Sequence, residues 1–360
     1  MHEKSRQTGT TQSNSTSRTS ATSKTSDRPY HIRITSTVSS RQWNELVANA
    51  TQATPFHRYE SLETLADHTE TTFHTFVGFA DDRPLGLFPV FEKSVGPLTA
   101  LFSPAPNLKI RYLGPVVFDW DGTDTVGHER RRQDFIGAAL SCLQDRFAPS
   151  YVLVRTAARF GDHRPFLWRD FEATPQYSYV VDLTPEPSTL LDRFSSDARR
   201  NIRSEAPELS VSAAGPDAIT SILDHLRARH RMRGKSYRVT PDFVTDLSER
   251  LPDGVVRPYA VYRGDSFVGG MIALEYGDTV YRWQGGAKPE TDLPVNELLD
   301  WHVMRRAAER GCSRYDLVGA NHRGISQYKS KFDPELVTFQ SLVRSTRTMD
   351  LLSKLYLRFR

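Results

Sequence analysis

The sequence predicts an α/β (α+β) protein with mixed sheets flanked by helices, in which one order of elements occurs twice. Two hairpin patterns indicate this class, one over 73–92 and one over 257–276, each with two strands around a short polar turn. Helical patterns precede and follow each hairpin, as expected where helices pack on the faces of a sheet. The repeated order predicts a tandem pair of modules, which we place at 30–172 and 173–345.

The elements of the first module follow from local patterns. Apolar and polar residues alternate in the predicted strands, and Asp81–Pro84 supplies the turn of the first hairpin. We predict strands at 31–35, 73–80, 85–92, 100–104, 113–118 and 151–155, and helices at 40–50, 59–67 and 131–147.

The second module repeats this order, and its hairpin turns at Arg263–Asp265. We predict strands at 179–183, 211–214, 257–263 and 266–276, and helices at 187–205, 216–232 and 241–250. A helix from Pro294 to about Gly311 follows, because proline suits a first helical turn and glycine a helix C-terminus. A strand at 313–318 and a basic loop complete the module.

A glycine-rich strand exit precedes the helix at Pro294. Arg282 and Gln284 alternate with Tyr281 and Trp283, so we expect a strand with Arg282 and Gln284 on one face. Gly285 and Gly286 are expected to end this strand, because glycine adopts the backbone conformations of tight turns.

Several motifs together resemble a known family. They are Y-x-W-x-G-G-A at 281–287, P-x-N-E-L-L-x-W at 294–301, E-R-G-x-x-x-Y-D-L at 309–317, Y-K-x-K-F at 328–332 and R-x-N-I-R at 199–203. L-F-S-P at 101–104 and Y-L-G-P at 112–115 look like the N-terminal half of the same family. The sequence resembles the FemAB-like proteins of the GNAT acyltransferase superfamily, including the group called BioF2-like acetyltransferases. The resemblance covers roughly 30–345 and implies two GNAT-like modules.

The resemblance implies an N-acyltransferase that uses acyl-CoA as co-substrate and has no bound cofactor. Residues 282–287 fit the R/Q-x-x-G-x-G/A pattern with which GNAT proteins hold a pyrophosphate, and backbone N–H groups near a helix N-terminus attract anions. A tight strand exit that needs glycine is the alternative. The candidate donor-binding residues are Arg282, Gly285, Gly286, Ala287, Lys288 and Asn296.

Two basic segments are candidates for acceptor binding. Arg233 and Lys235 lie at a helix exit, where cations can converge on phosphate or carboxylate. Arg199 and Arg203 are four residues apart and so share a helix face, where Asp197 could pair with one of them. By resemblance, Arg203 belongs to a helix that lines the acceptor site. Solvated, salt-bridged surfaces are the alternative for both segments.

The final basic loop carries the candidate catalytic residues Tyr328, Lys329 and His322. By resemblance, Lys329 corresponds to a lysine at the reaction centre that neutralises developing negative charge, a role suited to a fixed ammonium. It is expected to meet Arg203 across the cleft. Histidine is the side chain most often used as a general base, so His322 is the candidate for that role. An ordinary surface lysine and a solvated histidine are the alternatives.

Composition restricts the function classes. The net charge of +4 is concentrated at the two ends, with five basic and two acidic residues in 1–28 and five and one in 344–360. The slightly acidic body argues against DNA binding. Cys142 and Cys312 are too few for a cysteine-based zinc site, and we expect no metal. No apolar run reaches the ~20 residues of a membrane span, so the cytoplasm is the expected location.

The two ends are expected to differ from the modules. Residues 1–29 are rich in Ser and Thr and predict a disordered tail. Residues 346–360 predict a basic amphipathic helix, and over 349–360 this helix leaves peripheral membrane contact open. The acceptor is expected to be an amine of a small metabolite, a peptide or an amino sugar. Aminoacyl transfer from tRNA, or a non-catalytic role in envelope or glycan assembly, are the alternatives.

Overall fold

A computed structural model describes residues 31–118, 125–158, 160–204, 208–288, 293–347 and 349. Within these residues the strands are β1 Ile32–Thr35, β2 Thr72–Ala80, β3 Arg83–Val95, β4 Leu98–Ser103, β5 Val116–Val117, β6 Tyr151–Arg155, β7 Glu172–Asp182, β8 Leu209–Ala213, β9 Val256–Arg263, β10 Ser266–Tyr276, β11 Thr279–Ala287, β12 Arg314–Asp316 and β13 Glu335–Ser345. The helices are α1 Ser40–Ala48, α2 Tyr59–Asp67, α3 Thr125–Phe147, α4 Arg164–Leu167, α5 Pro187–Arg193, α6 Ser196–Arg203, α7 Pro216–Met232, α8 Pro241–Arg250, α9 Val295–Glu309 and α10 Arg323–Lys329.

One order of elements occurs twice in this fold. A strand, two helices, three strands, a helix and a strand appear as β1-α1-α2-β2-β3-β4-α3-β6 and again as β8-α7-α8-β9-β10-β11-α9-β12, with β5 an extra strand beside β3. In both runs the last two strands pair in parallel, β4 with β6 and β11 with β12. We call β1 to β7 the first unit and β8 to β13 the second unit, with α5 and α6 connecting them.

The two units share one mixed sheet because they exchange their last strands. Its order is β1-β2-β3-β4-β6-β13-β7-β12-β11-β10-β9-β8. Strand β7 pairs with β12 of the second unit, β13 pairs with β6 of the first unit, and the two also pair with each other. The predicted boundary between residues 172 and 173 falls at the start of β7 and remains a prediction, since β7 pairs with both units.

A shared core joins the units on one face of the sheet. Helices α1 and α2 pack there beside α7 and α8, and the Trp283 ring lies 5.5 Å from the Phe56 ring and 5.9 Å from the Phe243 ring. His68, the residue that follows α2, places its Nε2 2.7 Å from a carboxylate oxygen of Asp246 in α8. On the opposite face of the second unit, α9 covers the sheet with an apolar cluster of its own. The site described below lies where these layers meet.

Several predicted elements need correction. The helix expected over 187–205 is two helices, because Phe194 is extended and packs its ring against Trp301 and Phe332, while the Ser195 side chain caps α6. The strand expected over 113–118 is only Val116–Val117, and β13 was not predicted at all. The halves were expected to have separate sheets, and the strand exchange gives one sheet instead.

Other expectations fall outside the described residues. They are the tail at 1–29, of which nothing is described, and nearly all of the C-terminal helix predicted over 346–360. Where the structure is described, no helix is both long enough and apolar enough to cross a membrane. The same residues contain no group of three or more potential metal-binding side chains.

Candidate functional site

Strand β11 contains a bulge that sequence alternation did not predict. Ile272 pairs with Gln284 and Ala273 pairs with Arg282, so Trp283 is an extra residue opposite β10. A bulge re-aims the side chains that follow it. Arg282 consequently faces Asp300 of α9, whereas Gln284 accepts a hydrogen bond from Tyr237, which follows α7. The expectation that Arg282 and Gln284 share a face is therefore wrong.

The two glycines of β11 continue the strand, contrary to the expectation that they end it. Both have φ of 157°, a conformation that other residues rarely adopt. A side chain at Gly285 would lie 2.5 Å from the Gly270 carbonyl oxygen, so close strand packing requires this glycine. A Cβ at Gly286 would instead lie 3.2 Å from Arg229 Nη1. Gly286 is buried, and the space that a side chain would occupy there borders a guanidinium group.

The end of β11 is held between two helices. Ala287 N–H donates to Asn296 Oδ1 at 3.0 Å, and the Ala287 carbonyl oxygen lies 3.2 Å from His225 Nε2. Asn296 lies in the first turn of α9 and His225 in α7. Lys288, just beyond, places its ammonium 5.5 Å from the centre of the Phe267 ring. Both helices therefore fix the backbone at the candidate donor-binding residues.

Arg229 is the cation nearest to these glycines. Its Nε is buried without a hydrogen-bond partner, and among the described residues no carboxylate pairs with it. Burial lowers the pKa of Arg229, and the neighbouring charges of Arg233 and Arg282 add to this effect. Arg233, one of the predicted acceptor-binding residues, is therefore close enough to Arg229 for its charge to act on it. Arg233 itself is the exposed residue that ends α7.

A buried carboxylate, Asp300, organises the α9 face. Arg282 Nε donates to Asp300 Oδ1 at 2.7 Å, and the hydroxyls of Tyr315 and Tyr328 donate to the two carboxylate oxygens at 2.6 Å each. Burial opposes the charge of Arg282, yet Asp300 keeps the pKa of Arg282 above its usual range. Burial raises the pKa of both tyrosines, and Asp300 raises it further. Arg282 thus forms a buried ion pair with Asp300. Its predicted contact with the donor remains a prediction.

Lys329 ends α10, whereas a loop was expected there. Its Nζ donates to three successive carbonyl oxygens, of Leu317, of Val318 at 3.1 Å and of Gly319 at 2.7 Å. Burial and the charge of Arg282 lower the pKa of Lys329 to about 7. The three carbonyl oxygens match the three N–H donors of an ammonium, so the geometry is that of the charged form.

The turn that Lys329 holds is strained. Val318 has φ of 52°, which is rare for a β-branched residue. Asp316 Oδ1 accepts hydrogen bonds from Val318 N–H at 2.7 Å and from Ser178 Oγ at 2.7 Å, and the same hydroxyl oxygen accepts from Gly319 N–H. Burial raises the pKa of Asp316. Backbone strain of this kind persists only where surrounding contacts impose it, and it is concentrated at functional sites.

The remaining predicted residues lie away from this centre. Arg203 forms an exposed ion pair with Asp192 at 2.8 Å, and Arg199 donates to the carbonyl oxygens of Asp192 and Phe194. No contact between Arg203 and Lys329 is found in the described part of the chain. Asp197 pairs with Lys331 at 2.7 Å, so its expected pairing with an arginine of its own helix is wrong.

His322 and Lys235 are both exposed. His322 is the N-cap residue of α10. Lys235 lies near Lys109 of the first unit, because its charge contributes to the lowered pKa of Lys109. The structure therefore brings Lys235 to the junction of the two units and leaves His322 at the surface.

Sequence reasoning missed Asp300, Asp316 and the position of Arg229. Asp300 carried a signal, since a carboxylate stands within the otherwise apolar face of the helix beginning at Pro294. The partners of Asp300 are Arg282, Tyr315 and Tyr328, which lie in three other elements, so no local sequence pattern predicts these contacts. A tandem α/β fold in which one unit holds strand glycines beside a guanidinium group and also a buried lysine is compatible with the general class of group-transfer enzymes.

Comparisons with known proteins specify that class. Residues 193–330 match the family model described as an acetyltransferase (GNAT) domain, a range that contains β11, α9 and Lys329. This part of the chain is therefore similar to GNAT acetyltransferase domains, and the chain as a whole has a fold similar to that of FemX. No curated protein matches the sequence.

Solved structures agree on the fold. FemX superposes with a TM-score of 0.66 at 12% identity, covering 86% of this chain and 96% of that chain. The C-terminal domain of a putative lysylphosphatidylglycerol synthetase from Agrobacterium fabrum gives 0.54 at 12% identity, covering 88% and 94%. A conserved protein of unknown function from Bacteroides thetaiotaomicron gives 0.54 at 14% identity, covering 87% and 100%.

Proposed function

We propose that this protein transfers an acyl group from acyl-CoA, or a similar carrier, to an amine of a small metabolite, a peptide or an amino sugar. The observation that carries the proposal is the position of Arg229 beside Gly286 within the GNAT domain. A half-buried guanidinium without a carboxylate partner, next to backbone that lacks a side chain, suits the pyrophosphate of such a carrier.

The donor would lie along the end of β11. Arg229 offers charge-assisted hydrogen bonds, while Gly286 permits close approach of a phosphate oxygen to the strand. Asn296 and His225 fix Ala287 between them, so the backbone is positioned before any donor arrives. Lys288 adds a second cation at the same end. We therefore assign the predicted residues Gly285 to Lys288 and Asn296 to binding of the donor.

The transfer itself needs few reacting side chains. The neutral amine nitrogen attacks the thioester carbonyl carbon, a C–N bond forms, and the C–S bond then breaks. The nitrogen loses one proton, and the departing thiolate takes one up. Positioning and stabilisation of the oxyanion supply most of the acceleration in such reactions.

We place the oxyanion beside the Val318 turn and assign its stabilisation to Lys329. The ammonium charge lies directly under this turn, and direct contact with the oxyanion would require one N–H to leave its carbonyl partner. We assign Tyr328 a supporting role, because its hydroxyl donates a hydrogen bond to Asp300 and Asp300 balances the charge of Arg282. His322 is exposed at the N-terminus of α10, where it could accept the amine proton.

The experiment is an acyl-transfer assay with acetyl-CoA and longer acyl-CoA donors against a panel of amines. Free thiol is followed with a chromogenic reagent, and products are identified by mass spectrometry. We expect thiol release that depends on an amine and is abolished in Arg229→Gln, while Arg227→Gln on the same helix, whose arginine pairs with Asp224, retains it.

Two other outcomes would replace this proposal. Transfer only from aminoacyl-tRNA would make tRNA the carrier. Binding of neither carrier by the folded chain would contradict the acyl-CoA proposal and leave a non-catalytic role in envelope or glycan assembly.

A further inference from the structure

A strongly basic cavity lies between the two units, apart from the donor glycines. It has a volume of about 290 Å³. Four of its lining residues are cations, and none is acidic. The polar lining consists of Asn107, Lys109, Arg111, Arg155, Ser236 and Arg238. We call it the basic cavity.

Both units build this cavity. The segment after β4 contributes Lys109 and Arg111, and the segment between α7 and α8 contributes Ser236 and Arg238. Asn107 and Lys109 have φ of 72° and 59°, so this part of the first unit adopts a defined irregular path. The Lys109 carbonyl oxygen accepts a hydrogen bond from Trp283 Nε1 at 3.4 Å, which ties the path to β11.

Arg155 anchors the same segment from the opposite side. It is the last residue of β6, and its Nη1 donates to the Ile110 carbonyl oxygen at 3.4 Å. The Leu113 N–H donates to the Arg155 carbonyl oxygen at 3.1 Å. The cations are therefore placed by a backbone that is hydrogen-bonded to both units, so the cavity does not depend on ligand to take shape.

These cations repel one another without compensation from protein carboxylates. Elsewhere arginines pair closely with acids, as Arg257 and Arg310 do with Glu275 at 2.8 and 2.6 Å. In the basic cavity, no described carboxylate forms an ion pair with any of the four cations. Burial lowers the pKa of Lys109 and of Arg155, and Arg111 lowers both further. An anion entering the cavity would relieve this repulsion.

We propose that the basic cavity binds a phosphate or diphosphate group carried by the amine acceptor. This inference rests on the proposed function, because it makes that acceptor a phosphorylated amine. Four cations around a small volume match the concentrated charge and multiple acceptor oxygens of a phosphate. A volume of about 290 Å³ corresponds to roughly ten waters of about 30 Å³, which is ample for a diphosphate.

Position assigns the cavity to the acceptor. Lys109 contacts Trp283, three residues before Gly286, and a strand advances about 3.3 Å per residue. The cavity therefore lies on the order of 10 Å from the donor glycines. On its other side, Arg111 Nε is 3.5 Å from the point where a Cβ on Gly319 would be. Since Lys329 holds Gly319, an acceptor anchored at Arg111 has its remaining part beside the proposed reaction centre.

The test is calorimetric titration of pyrophosphate into the full chain saturated with coenzyme A, which occupies the donor site. Lys109→Gln combined with Arg238→Gln removes two exposed cavity cations without disturbing the fold. Arg250→Gln combined with Arg263→Gln is the matched control, because these exposed arginines lie outside the cavity and pair with Asp67 and Glu208. We expect binding that is at least tenfold weaker in the cavity variant and within twofold of wild type in the control.

Three results would overturn the inference. They are absence of pyrophosphate binding to the wild-type chain, equal weakening in both variants, and complete loss of binding when coenzyme A is present. The last result would assign the cavity to the donor. If coenzyme A does not bind at all, the proposed function fails, yet titration of pyrophosphate alone still tests the cavity.

Discussion

The two units have the same order of elements but differ in what they bury. In the first unit the buried polar side chains are uncharged at neutral pH, and the pKa of His57 is lowered by burial to about 4. In the second unit Glu297, Asp300, Asp316 and Lys329 are all buried. Among the described residues, no other Asp, Glu or Lys is buried.

This difference indicates that the first unit mainly supports the fold and that the second unit holds most of the buried charged residues. Helix α3 of the first unit inserts Phe135 between β2 and β3, whereas its counterpart α9 in the second unit inserts Asp300 under β11. Phenylalanine stabilises by burial alone, whereas a buried carboxylate is tolerated only with partners. The first unit therefore acts as an apolar scaffold that also supplies Lys109, Arg111 and Arg155, while the second unit carries the charges next to the predicted reaction centre.

The largest expected effect follows from breaking the buried charge cluster. Asp300→Ala leaves Arg282 buried without its partner, which typically costs about 3–5 kcal/mol of unfolding free energy. Urea denaturation measures this cost. Glu309→Ala on the same helix is the control, because its ion pairs with Arg305 and Arg306 are exposed and screened by solvent, so their loss should change stability little.

A second variant separates charge from shape at this position. Asp300→Leu combined with Arg282→Met removes both charges, and it should recover part of the stability lost in Asp300→Ala, since the hydroxyls of Tyr315 and Tyr328 still lack their acceptor. If Asp300→Ala unfolds no more readily than Glu309→Ala, the cluster contributes nothing and the contrast between the units disappears.

Local patterns in the sequence predicted much of the fold. The two hairpins are found at β2–β3 and β9–β10, and the helix expected from Pro294 is α9, because each depends on neighbouring residues. The exchange of β7 and β13 could not be predicted in this way. Strand β13 pairs with β6, and Ser341 lies opposite Arg155, a partner more than half the chain away in sequence.

The candidate site was predicted less completely for the same reason. Motifs pointed to Lys329, Tyr328, Gly286 and Asn296 as site residues, but not to the contacts that these residues make. Lys329 bonds to carbonyl groups that follow another strand, and the bulge at Trp283 depends on the register with β10. The basic cavity is built from three separate segments spread over residues 107–238, so its charges form no local pattern in the sequence.

The next effect concerns turnover. Lys329→Met removes the ammonium from the Val318 turn, and we expect kcat to fall by about 100-fold, the usual loss for an oxyanion donor. Because burial lowers the pKa of Lys329 to about 7, the protonated form is lost as the pH rises through this value. The ammonium's contribution, given by the ratio of wild-type to Lys329→Met turnover at each pH, should therefore shrink above about pH 7.

The neighbouring lysine provides the control. Lys331 is half-buried and pairs with Asp197 and Glu297 instead of contacting the turn. Lys331→Met should retain turnover within a few-fold. If Lys329→Met keeps near-full turnover, or if both variants lose it equally, Lys329 serves packing and its catalytic assignment is wrong.

The smallest expected effects are those of alanine substitutions at the adjacent glycines Gly285 and Gly286. Gly285 and Gly286 share φ of 157°, so alanine imposes similar backbone strain at either position and the difference between the variants reports the surroundings. Gly285→Ala brings a Cβ within 2.5 Å of the Gly270 carbonyl oxygen and 2.7 Å of Met271 Cα, neither of which can move freely, so the melting temperature should fall. Gly286→Ala meets only the flexible end of Arg229 at 3.2 Å, so it should stay closer to wild-type stability while affinity for coenzyme A falls about tenfold. Thermal melting and calorimetry measure the two quantities, and unchanged affinity in a folded Gly286→Ala would assign both glycines to strand packing alone.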